Sequence, residues 1–268
     1  MLNLKPGRLR RLAPALALGL LAALPASAQA HTAYMLPNLF SANQEDRVTI
    51  ESSFAEHFFR PELAVDSDDW HVLLPDGTRA PLVNVAKLRQ VVILEGDLKQ
   101  EGTYRFTSGV RRGRVGKLVQ IDGKWQPLRG EAPAGATVRT TQTETVSDVY
   151  VTKKGPTRAP VDAQVGRLAI HPVTHPSDIA LDTPFALAVM FDGKPLAGAK
   201  LELDRGGADY DADRGHREIT TGPDGRASLT FDKAGIYVLM VRHRADAPAG
   251  SETDERSYTT ALTFEVQR

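Results

Sequence analysis

The sequence has 268 residues, of which 33 are basic and 33 acidic, and it contains no cysteine. The lack of cysteine excludes disulfides, iron–sulfur clusters and thiolate metal sites, so any metal ligands must be histidines, carboxylates or a backbone amine. Four basic and no acidic residues precede residue 31, which leaves a formal charge of −4 on the remainder. This charge argues against a partner that is a nucleic acid or an anionic membrane surface.

The first thirty residues have the pattern of a secretory signal peptide. A basic start is followed by an apolar stretch, Leu12 to Leu24, which is too short to span a bilayer. Ala28-Gln29-Ala30 matches a small-residue cleavage site. We therefore expect cleavage after Ala30 and a periplasmic mature protein that begins at His31 and has no membrane span.

The first part of the mature chain has the short alternating runs of an all-β protein. Lys117 to Ile121, followed by Asp122-Gly123 and Lys124-Trp125, predicts a hairpin with a type I′ turn. Gly155 to Pro160 is typical of a linker. The other predicted strands of this part are Arg47 to Phe54, Trp70 to Leu74, Val91 to Leu94 and Gly102 to Thr107.

The second part shows the same pattern more clearly, with one apolar face on each strand. The spacing of strands and Asx-Gly turns predicts two tandem β-sandwich domains, Ig-like or transthyretin-like, over residues 31–160 and 161–268. The main predicted strands here are Phe185 to Phe191, Ala199 to Leu203, Ala227 to Phe231, Gly235 to Arg242 and Leu262 to Val266.

A histidine at the start of a chain has a chemistry that internal histidines lack. The free α-amine and ring Nδ1 of His31 can chelate one ion, and such nitrogen donors suit Cu(II), Ni(II) or Zn(II). We expect His57 and His243 to supply further ligands, with Glu56 as a nearby carboxylate. Alternation would place His57 on one face with Ala55 and Phe59, while His243 would lie at the rim of the second core. Packing within the protein is the alternative role for both histidines.

Other polar clusters give weaker signals. His171 and His175 flank Pro172, which prevents a helical pair, and their role as ligands is left open together with that of His216. Asp209, Asp211 and Asp213 lack the glycine and glutamate of an EF-hand, so a solvated acidic loop is predicted. The basic run from Arg111 to Arg114 with Lys117 is likewise interpreted as solvated. No catalytic motif is present, and we predict that the protein is not an enzyme.

Four segments resemble one bacterial periplasmic family of unknown function (domain of unknown function 4198), which carries the label of a nickel-transport-complex component. Its members are similar in having a histidine at the mature start, near an aromatic residue and Leu-x-Pro. Here Thr32 stands where an acidic residue often follows, and Tyr34 where a tryptophan is usual. The resemblance implies a two-domain β-protein associated with nickel or cobalt uptake. The matching segments are Asp192 to Leu203, Thr220 to Arg244, Arg256 to Val266 and, at the start, His31 to Pro37.

These observations predict a periplasmic accessory protein that binds a transition metal ion (Ni or Co, alternatively Cu or Zn) for a membrane uptake system, through His31, His57 and His243. The alternative is an Ig-like envelope binding or scaffold module without metal. A third hypothesis is a copper oxidase or oxygenase that uses the amino-terminal histidine.

Overall fold

The computed structural model describes residues 31–211 and 215–268, whose regular secondary structure is almost entirely β-strand. The predicted signal peptide lies outside the described residues. The strands before the linker are β1 (Thr32–Pro37), β2 (Ser41–Ala42), β3 (Arg47–Ala55), β4 (Leu63–Ala64), β5 (His71–Leu73), β6 (Arg79–Ala80), β7 (Asn84–Lys87), β8 (Val92–Asp97), β9 (Gly102–Thr107), β10 (Arg111–Ile121), β11 (Lys124–Pro127) and β12 (Val138–Lys153).

The second part opens with a short helix, α1 (Ala159–Asp162), and contains 3₁₀ turns at Pro176–Asp178 and Ala208–Tyr210. No helix within the described ranges is long and apolar enough to cross a membrane. The strands of this part are β13 (Leu168–Pro172), β14 (Phe185–Phe191), β15 (Lys194–Pro195), β16 (Lys200–Arg205), β17 (Arg217–Thr220), β18 (Arg226–Leu229), β19 (Gly235–Asp246) and β20 (Glu255–Val266).

The strands form three sheets, which confirms the predicted all-β sandwich class. Sheet I has the order β1-β3-β8-β7, with β4 beside β3. Sheet II has the order β17-β16-β19-β20-β12-β9-β5-β6, with the β10–β11 hairpin and β2 attached to β12. Sheet III contains β13, β14, β15 and β18. The hairpin turn is type I′ as predicted, because Asp122 and Gly123 both have positive φ, 50° and 75°.

Sheet II is the middle layer and is apolar on both faces. Successive side chains of a strand point to opposite faces, so Val149 and Val151 contact one core and Tyr150 the other. The core shared with sheet I includes Val48, Ile50, Leu94, Tyr104 and Phe106. The core shared with sheet III includes Leu168, Phe185, Leu187, Leu203, Leu239 and Phe264.

The two halves of the chain share sheet II through a parallel pairing of β12 with β20. The register runs from Thr141 beside Glu255 to Val149 beside Thr263. The division predicted at residues 160 and 161 falls within α1 and remains a prediction. The sheet itself continues across that division, so the two sandwiches have a layer in common.

Gly96 of β8 is required by the packing between sheets I and II. A Cβ at this position would lie 2.3 Å from Cε1 of the buried Phe106 ring. We expect Gly96→Ala to lower the free energy of unfolding by about 2 kcal/mol, because the buried ring would have to shift to accommodate the added methyl group. Gly116→Ala is the matched control, since its Cβ would meet its nearest neighbour at 3.8 Å. Urea denaturation of both variants measures the difference, and equal stability would contradict the packing argument.

Candidate functional site

His31 lies immediately before β1, between two glutamates at the end of β3. Its Nδ1 is 3.0 Å from Oε2 of Glu62, and its Nε2 is 3.9 Å from Oε1 of Glu56. The antiparallel pairing of β1 with β3, which sets Thr32 beside Ala55, brings the histidine to this end of the strand. The imidazole is 48 % exposed, so an ion from solvent can reach it.

The carboxylate of Glu62 is held in place by the turn after β3. The N–H of Arg60 donates to the carbonyl of His57, and the chain then returns so that the N–H of Glu62 donates to the carbonyl of Phe54. Oε1 of Glu62 accepts a hydrogen bond from the N–H of Glu56 at 3.0 Å. The other oxygen therefore faces His31 in a fixed orientation.

Tyr34 of β1 packs against two aromatic residues of the turn that follows β3. The Tyr34 ring is fully buried and lies 5.9 Å from Phe58 and 5.0 Å from Phe59, measured between centroids. Burial raises the pKa of the Tyr34 phenol well above its usual range, and its hydrogen bond to Glu51 raises this pKa further. The phenol is therefore neutral at physiological pH, and we assign it a structural role.

His57 lies in the turn rather than on a strand. The prediction that it shares a strand face with Ala55 and Phe59 is wrong, because β3 ends at Ala55 and the turn closed by Arg60 follows at once. The His57 side chain is exposed to solvent. His57 therefore lies in the turn that follows Glu56, whereas the ion pairs of His31 are with Glu56 and Glu62.

His243 is separated from His31 by sheet II. It lies on β19, on the same face as Leu239 and Val241, and its ring contacts Phe191 at 4.6 Å between centroids. Strand β1 packs on the opposite face, where Tyr34 contacts Val238 and Ala261. Burial lowers the pKa of His243, and the charge of Arg167 lowers it further. The structure does not bring His243 to His31. The prediction that His243 lies at the rim of the second core is correct, but that core covers the face of sheet II opposite to β1.

The remaining polar candidates have partners of their own. His171 Nε2 is 3.7 Å from Asp162, and His216 Nδ1 is 2.8 Å from Asp204. In the acidic loop, Asp211 forms ion pairs with Arg205 and Lys233, which reduces its value as a cation ligand. Asp213 lies outside the described residues.

Side chains alone do not complete a metal site. Across residues 31–211 and 215–268, no group of three or more histidine, aspartate or glutamate side chains is arranged to hold a metal ion. An ion at His31 therefore needs a donor that is not a side chain, such as a free α-amine. Sequence reasoning missed Glu62, which the turn between His57 and Arg60 brings back beside β3.

His175 joins the linker to the second half of the chain. Its Nδ1 accepts from the N–H of Ser177 at 3.1 Å, so the ring proton is on Nε2 and is donated to the carbonyl of Thr157 at 3.1 Å. Nε2 also lies 3.1 Å from the hydroxyl of Thr103 on β9. Burial lowers the pKa of His175, and the neutral ring is the form that these contacts require.

This arrangement predicts a pH-dependent stability. The pKa of His175 in the folded protein lies below its value of about 6.5 in the unfolded chain. The stabilisation that the neutral His175 ring provides is therefore complete above pH 6.5. It decreases as the pH falls towards the folded pKa, since the unfolded chain takes up the proton first. We expect His175→Ala to cost about 2 kcal/mol near pH 7.5 and less at pH 5. Urea denaturation at the two pH values measures this loss.

His216→Ala is the matched control for this experiment. A hydrogen bond to Asp204 raises the pKa of His216, so this ring contributes stability at low pH that is lost as the pH rises. The two variants should therefore change the pH dependence in opposite directions. A parallel change in both would contradict the assignment of His175.

A domain family of unknown function, DUF4198, matches residues 28–245. Because this match covers most of the sequence, the chain belongs to that family. No curated protein matches the sequence. Neither comparison assigns a ligand or a reaction to the chain.

Solved structures give only distant likenesses. The chain is similar to a DUF4785 family protein from Legionella pneumophila at 13 % identity, over 78 % of this chain and 50 % of that one, with a TM-score of 0.23. It is similar to the adhesin InvE of Yersinia pseudotuberculosis at 14 % identity, over 87 % of this chain and 58 % of that one, with a TM-score of 0.21. The chain thus spans about half of the length of each.

Proposed function

We propose that the protein is a periplasmic accessory protein that binds a transition metal ion at His31 and passes it to a metal-uptake system. The ligands are the α-amine and Nδ1 of His31 and a carboxylate oxygen of Glu62. This proposal replaces His57 and His243 as ligands with Glu62, which the turn after β3 holds against the histidine.

The separation of 3.0 Å between Nδ1 of His31 and Oε2 of Glu62 carries the proposal. Two ligands at right angles around one ion, each bonded at about 2.1 Å, are separated by about 3 Å. The two atoms therefore already have the spacing of neighbouring ligands. Glu56, with an oxygen 3.9 Å from Nε2, adds negative charge beside the site.

The ligand set favours a borderline cation. Two nitrogen donors and one carboxylate oxygen suit Ni(II), Co(II), Cu(II) or Zn(II), and they leave coordination positions open for water or for the ligands of an acceptor protein. An exposed, incomplete site of this kind supports capture and transfer rather than permanent storage.

The test is a calorimetric titration with Ni(II) and with Cu(II). One sample is the protein that begins at His31, and the other carries a single additional alanine before His31, which removes the chelating amine but keeps every side chain. We expect tight binding by the first sample only. Equal affinity in both would exclude the chelate, and an intact mass that retains residues 1–30 in exported protein would exclude its formation in the cell.

A further inference from the structure

The β10–β11 hairpin carries a concentration of positive charge. Residues 111–129, named here the basic ribbon, contain six basic residues and a single acidic residue, Asp122 in the turn. The remainder of the mature chain is acidic, so the average charge of the protein conceals this surface. The basic residues are Arg111, Arg112, Arg114, Lys117, Lys124 and Arg129.

Most of this charge is not neutralised within the protein. Arg111 pairs with Asp66, and Arg112 lies 3.7 Å from the buried Glu144. For the other four basic residues of the ribbon, no carboxylate of the described chain lies within 4 Å. The ribbon therefore presents a net positive surface, chiefly along its outer half.

The strand register places lysines and aliphatic side chains together on one face of the ribbon. Residues directly opposite in an antiparallel pair share a face, and the opposed pairs include Ile121 with Lys124 and Val119 with Val138. Lys117 lies two residues before Val119 and four before Ile121, and so has the same orientation. Ile121 and Val138 are 39 % and 37 % exposed, and Val115, also on this face, is 51 % exposed, whereas Val119 is buried.

We propose that this face of the basic ribbon docks on the surface of an anionic lipid bilayer. Lysines beside exposed aliphatic groups fit a headgroup layer, because the ammonium groups meet lipid phosphates while the aliphatic groups enter the acyl boundary. The register places Trp125 on the other face, so this face lacks aromatic side chains for stacking on bases and does not have the features of a surface that reads a nucleic acid. This proposal is independent of the metal site at His31.

Co-sedimentation with vesicles tests the proposal. We expect the mature protein to bind vesicles that contain about a third phosphatidylglycerol and not vesicles of phosphatidylcholine alone, with affinity that falls as salt increases. Removing two lysines by Lys117→Gln and Lys124→Gln should weaken binding about tenfold. Ile121→Asn should also weaken binding, with little change in its salt dependence.

The matched control removes the same charge elsewhere, by Lys194→Gln and Lys200→Gln, two exposed lysines of the second half. This variant should bind as the unchanged protein does. Circular dichroism confirms that each variant is folded. Failure to bind either vesicle, or equal weakening by both lysine pairs, would overturn the proposal. Binding to a soluble acidic protein without binding to anionic vesicles would overturn it in favour of a protein partner.

Discussion

Replacing Arg105 with leucine is expected to lower the free energy of unfolding by about 3–5 kcal/mol, the range for a buried ion pair that loses one member. Arg105 is 2 % exposed, and its Nη2 lies 2.6 Å from Oδ2 of Asp148. Its Nη1 donates to the carbonyl of Ala163, just after α1, at 2.6 Å. The substitution would leave the Asp148 charge buried without a cation. Urea denaturation followed by circular dichroism measures the loss.

Two further variants separate this effect from a general loss of packing. Asp148→Leu combined with Arg105→Leu should recover part of the stability, because no unpaired charge remains. Arg79→Leu removes an exposed arginine, whose pair with Asp69 should contribute less than about 1 kcal/mol. If the double variant is as unstable as the two single losses added together, the ion pair is not the cause.

Adding one alanine before His31 is expected to lower the affinity for Ni(II) or Cu(II) by roughly 100-fold. The amine becomes an amide, which no longer supplies a neutral nitrogen donor, and the chelate ring is lost. Metal ligands must also be deprotonated, so the affinity of the unmodified protein should be lower at pH 5.5 than at pH 7.5. Calorimetric titration at pH 7.5 and pH 5.5 measures both effects.

Variants of single side chains distinguish the ligands. Glu62→Gln should weaken metal binding by about tenfold, whereas Glu252→Gln, at an exposed loop position, should leave it unchanged. His243→Ala should also leave affinity unchanged, because His243 lies on the opposite face of sheet II. Loss of binding in His243→Ala, with Glu62→Gln unaffected, would favour the three-histidine site predicted from sequence.

Local patterns in the sequence were sufficient to predict the fold class. Alternation identified β3 and β9, and Asp122-Gly123 specified the turn type, because both signals depend on neighbouring residues. The predicted strand Arg47 to Phe54 matches β3 to within one residue, but the continuation of its alternation to His57 was wrong. Phe58 and Phe59 extend the apolar character of the segment, whereas the chain turns back between His57 and Arg60.

Contacts between distant residues could not be predicted. The candidate site depends on Glu62 reaching His31, and the separation of His243 depends on which face of sheet II each element covers. The ion pair of Arg105 with Asp148 likewise joins strands that are far apart in sequence. A single sequence shows which face of a strand is apolar, but not which sheet covers it.

The parallel pairing of β12 with β20 has a consequence for how the molecule is assembled. Nine residues of β12 obtain their hydrogen-bond partners on one side from a strand more than a hundred residues later. A fragment that ended at residue 160 would leave that row of amides and carbonyls open, and such an edge recruits strands from other molecules. The first sandwich is therefore protected from self-association only once β20 has paired with β12.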